Sequence, residues 1–286
     1  MSEPRVSPPR IFPTAARASR PPAEAAGAAD AHRQSGFVLG DDIDLVIQGL
    51  NLEGSIAEVS SGAKFRKQQV AAGLGLWSRG WLSRLEALHA AECGGYGPAI
   101  ALVRAAADLL AAEFLVHETS ASEWNEWLAE PAIALVPEEH GTLYRLHPFR
   151  AAEVLARHEG LAEIYKAASD LSMPHFGATL LLAGSDSTPD RVLMTFGDRD
   201  FHVGLAEVAL GWLLALGIAR VEALLAGQGP YNVTEKEPLQ KWVREAHRRL
   251  EARDRCRISA HHNPEFRYLV ENWRRAPGAA PKRLLL

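Results

Sequence analysis

The residues best placed to do chemistry are Arg104 and Asp108, which lie four residues apart in the apolar stretch 98–117. This spacing puts both side chains on one face of a helix. A helix that is apolar nearly all round is expected to be buried, and a buried charge is costly unless it is paired. The sequence therefore predicts a buried pair. It is either a lock between helices, which is the favoured interpretation, or the floor of a polar site.

His175 is the third candidate, because it follows the helix-starting sequence Ser172-Met173-Pro174. Proline suits the first turn of a helix, and the positive end of a helix favours a neutral imidazole, which can act as a base or a ligand. A histidine bonded to nearby backbone is the favoured alternative. If the protein has a catalytic or ligand site of this kind, we expect Arg104, Asp108 and His175 to converge on one cavity.

The other polar patterns do not complete a metal or cofactor site. Glu86 and His89 match one half of a carboxylate-bridged di-metal site, but no second Glu-x-x-His copy follows. The acidic clusters 41–44 and 198–202 fit helix starts, where acidic residues are favoured. The sequence has no phosphate-binding loop, dinucleotide fingerprint or nucleophile elbow. We therefore predict no cofactor and no metal.

Composition places the chain among soluble globular proteins. It has 286 residues, 47% hydrophobic and 23% charged, with a net charge of −4, so charge gives no support for binding nucleic acid. Cys93 and Cys256 do not form a disulfide framework, and free thiols indicate a reducing cytoplasm. The apolar run Val208 to Ala219 is shorter than the ~20 residues that span a bilayer. These features predict a cytoplasmic protein without membrane contact.

Helical periodicity and the break residues predict an all-α protein, a multi-helix bundle with the 98–117 helix at its centre. At most one short strand or hairpin is expected, near 191–196. Ordered structure is expected from about Phe37, and a last helix is expected to open at Asn263 or Pro264. The predicted organisation is a disordered tail at 1–36, a bundle core at 37–230, a polar helical appendage at 231–273 and a loose basic tail at 274–286.

Three segments together resemble a broad bacterial family of unknown function related to HEPN and abortive-infection helical bundles. They are Val-Arg104-Ala-Ala-Ala-Asp108, the helix end Leu171-Ser172-Met173-Pro174-His175, and the apolar helix that starts at Phe201. The resemblance covers roughly residues 63–226. That family usually carries Glu where this chain has Asp108. The resemblance implies a helical bundle and names no settled activity.

HEPN-type proteins also suggest a ribonuclease signature, an Arg followed four to six residues later by His on a late helix. Arg257 and His262 fit this spacing, as do Arg255 and His261. In such enzymes Arg would hold a phosphate and His would carry out acid–base chemistry. Here Cys256 and Ile258 occupy the places next to Arg257, where the signature has a polar residue.

Two functions follow from these observations. The first, which we favour, is a non-enzymatic binding or interaction module with a buried polar cluster, because no catalytic set is complete. Its expected partners are a second copy, through apolar helices, or a small ligand. The alternative is a hydrolytic enzyme, a HEPN-like ribonuclease, with Arg104, Asp108 and His175 or the pair Arg257 and His262 as catalytic residues.

Overall fold

A computed structural model of the chain confirms the predicted all-α class. Helices account for most of the described chain, and strands form only short segments. The described residues are 7–11, 16–60, 68–117, 133–136, 141–144, 152–184, 187–188, 190–263 and 265–286. The capping sequence Thr119-Ser120-Ala121-Ser122-Glu123 predicts a short helix that carries Trp124, Trp127 and Leu128, and these residues lie outside the described ranges.

Nine helices occur within these residues, and most end at the break residues seen in the sequence. They are α1 (Ala26–Val38), α2 (Gly40–Ser60), α3 (Gln68–Glu92), α4 (Tyr96–His117), α5 (Ala152–Arg157), α6 (Glu159–Ser172), α7 (Phe176–Ala183), α8 (Val203–Leu225) and α9 (Glu237–Leu250). Helix α1 begins before the predicted start of order at Phe37. Its residues Ala31 and Ser35 are buried, which explains why this alanine-rich segment is held in place.

The most enclosed helix is α8, in place of the 98–117 helix that we predicted to be central. In α8, 19 of 23 residues are buried, and it packs against α2, α3, α4 and α9. Helix α4 lies beside it and pairs along its length with α3. By length and composition α8 could cross a membrane, but 78% of its apolar window is buried inside the protein. That degree of burial is typical of a core helix.

Trp242 fastens α9 to the core by filling a space between α2 and α8. Its indole lies against Gly49 and Gly217, where an added Cβ would come within 2.4 Å and 2.9 Å of the ring. Its Nε1 donates a hydrogen bond to the Leu45 carbonyl at 2.8 Å. Only glycine leaves room for an aromatic ring at this distance from a helix backbone. The polar helix α9 is therefore anchored by Trp242, beside its other buried residues Leu239, Val243 and Ala246.

Strands form two small antiparallel groups. Strands β1 (Ile133–Val136) and β2 (Gly141–Tyr144) make a hairpin. Strands β3 (Arg257–Ala260), β4 (Tyr268–Trp273) and β5 (Lys282–Leu285) make a three-stranded sheet in that order. The sheet packs on α8, and through β3 on α6. It places the segment 255–258 against the two helices that form the cavity described below.

The last predicted helix is wrong, because its residues form β4. Val270 and Trp273 are buried three positions apart, and this spacing imitates a helical face. An irregularity in the register between Val270 and Trp273, with Asn272 at φ 55°, breaks the two-residue alternation of the strand. The basic tail, predicted to be loose, likewise ends in β5, which pairs with β4.

The predicted strand at 191–196 does not form. Arg191 makes one isolated bridge to Thr188, and the Thr195 amide donates to the carbonyl of Ala183 at 2.7 Å. The segment is extended but has no partner strand among the described residues. Its apolar side chains Val192, Leu193 and Met194 are exposed instead of packed in a sheet.

Candidate ligand-binding cavity

A cavity of about 240 Å³ lies between α6 and α8 and is closed at one end by β3. We call it the α6–α8 cavity. Its walls share an apolar character, and its charged groups are confined to the base and the mouth. The lining residues are Gly160, Glu163, Ile164, Glu207, Val208, Gly211, Trp212, Ala215, Leu250, Arg255, Cys256, Arg257 and Ile258.

Two glycines open this space between the helices. Gly160 on α6 has no atom within 4 Å of the position where a Cβ would lie. Gly211 on α8 lies beside the Arg255 guanidinium, with 3.3 Å between Nε and an added Cβ. Without side chains at these positions the helix backbones leave room for the cavity, and Arg255 reaches its base.

Arg255 is the buried charged group at the base. Only 5% of its side chain is exposed. One terminal nitrogen donates to Asp42, and the other donates to the Glu207 carbonyl at 2.8 Å. Its Nε makes no hydrogen bond to a described residue and lies on the side of Gly211, which lines the cavity. One N–H of this guanidinium is therefore available to an acceptor in the cavity.

Asp42 and Glu207 hold the cationic groups behind the cavity. Asp42 is fully buried and accepts from Arg249 Nε at 3.0 Å as well as from Arg255. Burial alone would raise the pKa of Asp42, but the two guanidinium groups outweigh it and lower that pKa. Glu207 accepts from Arg274 at 2.9 Å. Three guanidinium groups thus contact these two carboxylates, and the charges of Asp41 and Asp254 also act on Arg249.

Cys256 also lines the cavity but does not provide a nucleophile. Its backbone N–H donates to Glu207 Oε2 at 3.0 Å. Burial, with the nearby Glu207 carboxylate, raises the pKa of the Cys256 thiol to about 12. A thiol at that pKa is protonated at neutral pH and is therefore unreactive.

The three residues predicted to converge do not do so. Arg104 and Asp108 are exposed, so the predicted burial of this pair is wrong. Arg104 donates to Ser169 Oγ at 3.1 Å and to the Tyr165 hydroxyl at 3.2 Å, and it thereby ties α4 to α6 at the surface. His175 is exposed at the start of α7. No hydrogen bond or ion pair within the described part of the chain joins it to Arg104 or Asp108.

The ribonuclease pair is also not on a helix. Arg257 lies in β3 and His262 in the connection to β4. At about 3.3 Å per extended residue, Arg257 is about 10 Å from the end of β3 at Ala260, before the chain turns. Arg255 donates a hydrogen bond to Asp42, and the His261 ring accepts one from the Asn263 amide in the connection between β3 and β4. Neither pair has the one-helix geometry that the signature requires.

The buried polar cluster that we expected lies elsewhere, at Glu113, Arg220, Glu53 and Arg84. Glu113 and Arg220 are fully buried and form an ion pair at 3.0 Å. Glu53 and Arg84 form a second buried pair, with 2.7 Å between Nη1 and Oε1. Trp77 connects the pairs, because its Nε1 donates to Glu53 and its ring lies 4.4 Å from the Arg220 guanidinium carbon.

The end of α4 extends this cluster towards the surface. His117 lies 3.4 Å from Glu113 and 3.4 Å from the Tyr231 hydroxyl. Burial and the Glu113 charge raise the pKa of Tyr231. An added Cβ at Gly73 or Gly229 would come within 3.1 Å of the His117 ring. The imidazole is therefore packed tightly between two glycines, and this arrangement favours a structural role for the cluster.

A second groove of about 380 Å³ lies between α2 and α9. Leu52 and Trp242 form its floor, and its rim carries Gln48, Lys241 and Glu245. The charged rim residues are exposed and of opposite sign. No buried charged group lines this groove, so the α6–α8 cavity is the better candidate for recognition of a ligand.

Comparison with known proteins gives no relative: no family model, no curated protein and no solved structure matches this chain. The fold and the cavity define an all-α bundle with a small antiparallel sheet and an arginine-based cavity.

Proposed function

We propose that this protein is a non-enzymatic binding module that takes a small carboxylate with a compact apolar body in the α6–α8 cavity. The observation that carries the proposal is a buried guanidinium, Arg255, at the base of a cavity whose walls are mostly apolar. Cavities that combine apolar walls with a few convergent polar groups are the usual sites for small molecules.

The positive charge of the Arg255 guanidinium favours an anionic ligand. Arg255 uses both terminal nitrogens on Asp42 and the Glu207 carbonyl, and its Nε–H towards the cavity is the donor that an anion can use. Arg257 adds an exposed guanidinium at the mouth, where Glu163 opposes it. Guanidinium groups bind carboxylates with charge-assisted hydrogen bonds, which are stronger than those between neutral groups.

The apolar walls of the α6–α8 cavity favour an apolar body for the ligand. Ile164, Val208 and Trp212 are largely buried and line the space with apolar surface. A water molecule takes about 30 Å³ of liquid volume, so a cavity of about 240 Å³ accepts a small ring or a short chain. We therefore use benzoate as the probe and benzamide, its uncharged isostere, as the comparison.

The test is isothermal titration calorimetry of the full chain with both probes. We expect benzoate to bind at least tenfold more tightly than benzamide, and Arg257→Gln to weaken benzoate more than benzamide. Gly160→Leu would fill the cavity and abolish the binding. Gly36→Leu is the matched control, because this exposed helical glycine also has open space at its Cβ position.

Two results would overturn the proposal. Equal affinity for benzoate and benzamide would remove the role of the guanidinium, and full binding by Gly160→Leu would place the site elsewhere. The ribonuclease alternative and the HEPN resemblance remain predictions, as do the bacterial source and the cytoplasmic location. Neither Arg257 with His262 nor Arg255 with His261 has the one-helix geometry that the ribonuclease alternative needs.

A further inference from the structure

The helix α7 and the segment after it present an apolar surface that nothing in the described chain covers. Eleven large apolar side chains are exposed among the described residues, and six of them fall between positions 173 and 196. We call these six the α7 surface. They are Met173, Phe176, Val192, Leu193, Met194 and Phe196.

The two parts of this surface are held together. The Thr195 amide donates to the Ala183 carbonyl at 2.7 Å, which fixes the segment 191–196 at the end of α7. The Met194 sulfur lies 3.0 Å from the position of a Cβ at Gly184. Within α7, only Ala178 and Leu181 are buried. Leu180 of α7 and Met194 both lie within 3.1 Å of the Cβ position at Gly184, so the apolar residues of the helix and of the segment 191–196 meet at the end of α7.

The area of this surface matches one side of a stable protein interface. A large apolar side chain has on the order of 150–250 Å² of accessible surface. These six residues are 42–105% exposed, so together they expose on the order of 700 Å². The largest apolar patch of a typical monomer is about 300–600 Å². A standard interface buries about 800 Å² per partner. The α7 surface exceeds what a monomer usually exposes.

The lack of charged residues on the α7 surface indicates which partner binds there. No Asp, Glu, Lys or Arg occurs in residues 171–184 or 192–197. A second copy would present the same uncharged surface, so two copies can meet about a twofold axis without repulsion between like charges. A lipid surface would favour a cationic rim, whereas the sequence beside this surface carries both signs, with Asp190 and Arg191 before it and Asp198 and Arg199 after it. We propose that the α7 surface is the interface of a symmetric homodimer.

The test is sedimentation-velocity ultracentrifugation of the full chain at tens of micromolar. We expect twice the chain mass of 31.1 kDa, and a shift to the monomer mass for Phe176→Glu and for Phe196→Glu. Phe37→Glu is the matched control, because Phe37 on α1 is 90% exposed but lies outside the α7 surface. It should leave the dimer intact.

A wild-type chain that sediments as a monomer would overturn the proposal. So would dissociation by Phe37→Glu to the same extent as by Phe176→Glu. Co-sedimentation of the monomer with anionic phospholipid vesicles would assign the surface to membrane contact instead. Circular dichroism of each variant separates loss of the interface from loss of the fold. The benzoate titration reports on the α6–α8 cavity and not on the α7 surface, so the two proposals can fail independently.

Discussion

Arg220 and Glu113 bring opposite charges into the fully buried interior of the bundle, 3.0 Å apart. Removing one member of such a pair leaves the other charge buried without compensation. We therefore expect Arg220→Ala to lower the free energy of unfolding by about 3–5 kcal/mol. Urea denaturation followed by circular dichroism measures this change.

Arg104→Ala is the matched comparison, because the same residue type stands at the surface. Arg104 bonds to Ser169 and Tyr165 on α6 while it remains exposed. Exposed charged contacts contribute about 0–1 kcal/mol, so the variant should lose less than about 1 kcal/mol. A loss as large as that of Arg220→Ala would show that Arg104 is buried in solution.

His202 should make the stability of the protein fall in mild acid. It is 1% exposed at the start of α8, and its Nε2 lies 3.5 Å from an Asp198 carboxylate oxygen without the geometry of a hydrogen bond. Burial, with the positive charge of Arg275, lowers the pKa of His202, while Asp198 and Asp200 oppose that shift. The Tyr96 ring packs against the imidazole at 5.7 Å between centroids. The folded state therefore favours the neutral imidazole.

The direction of the change in stability with pH follows from proton uptake by the folded and the unfolded state. An unfolded histidine takes up its proton near pH 6.5, and the folded His202 does so only at lower pH. The unfolded state then binds more protons, so stability is lost as the pH falls below about 6.5. We expect the urea midpoint to decline less between pH 7 and 5.5 in His202→Gln than in the wild type. The exposed His175→Gln should keep the full decline.

At the scale of the elements, the contact of α9 with the core depends on glycine. An added Cβ at Gly217 would lie 2.9 Å from the Trp242 ring, which is itself held by Leu45. Overpacking of this kind costs about 1–3 kcal/mol, so Gly217→Ala should be destabilising by that amount in thermal or urea denaturation. Gly36→Ala, with open space at its Cβ, should be neutral or stabilising. Equal effects of the two substitutions would contradict the packing of Trp242.

The helices could be predicted from the sequence because their apolar periodicity and their breaks agree. Gly94 and Gly95 end α3, and the sequence Ser-Met-Pro before His175 separates α6 from α7. The strand β4 could not be predicted from the sequence. A register irregularity leaves its two buried residues, Val270 and Trp273, three positions apart, which is the spacing of a helical face. The segment 191–196 has strand-like residues but no partner strand in the described chain. Local pattern specifies a helix, whereas a strand needs a neighbour from elsewhere in the chain.

At the scale of the whole molecule, the candidate site depends on contacts between distant segments. Arg255 and Asp42 are 213 positions apart, and Arg255 meets the Glu207 carbonyl from 48 positions away. In the sequence, Asp42 has the appearance of a helix-start residue, and Glu207 merely borders an apolar run. Glu113, in the same helix as Arg104, carries the buried charge that we assigned to Arg104 and Asp108. A charge within an apolar stretch predicts a polar cluster but not its members.

The most direct test of the carboxylate site is a benzoate titration followed by ¹H–¹⁵N NMR. We expect the Trp212 indole signal, identified by its loss in Trp212→Phe, to shift with the amides of Gly160 and Gly211, all of which line the cavity. The Trp242 indole, which lines the α2–α9 groove, should stay unchanged. Shifts confined to Trp242 and its neighbours, or no shifts at saturating benzoate, would contradict a carboxylate site between α6 and α8.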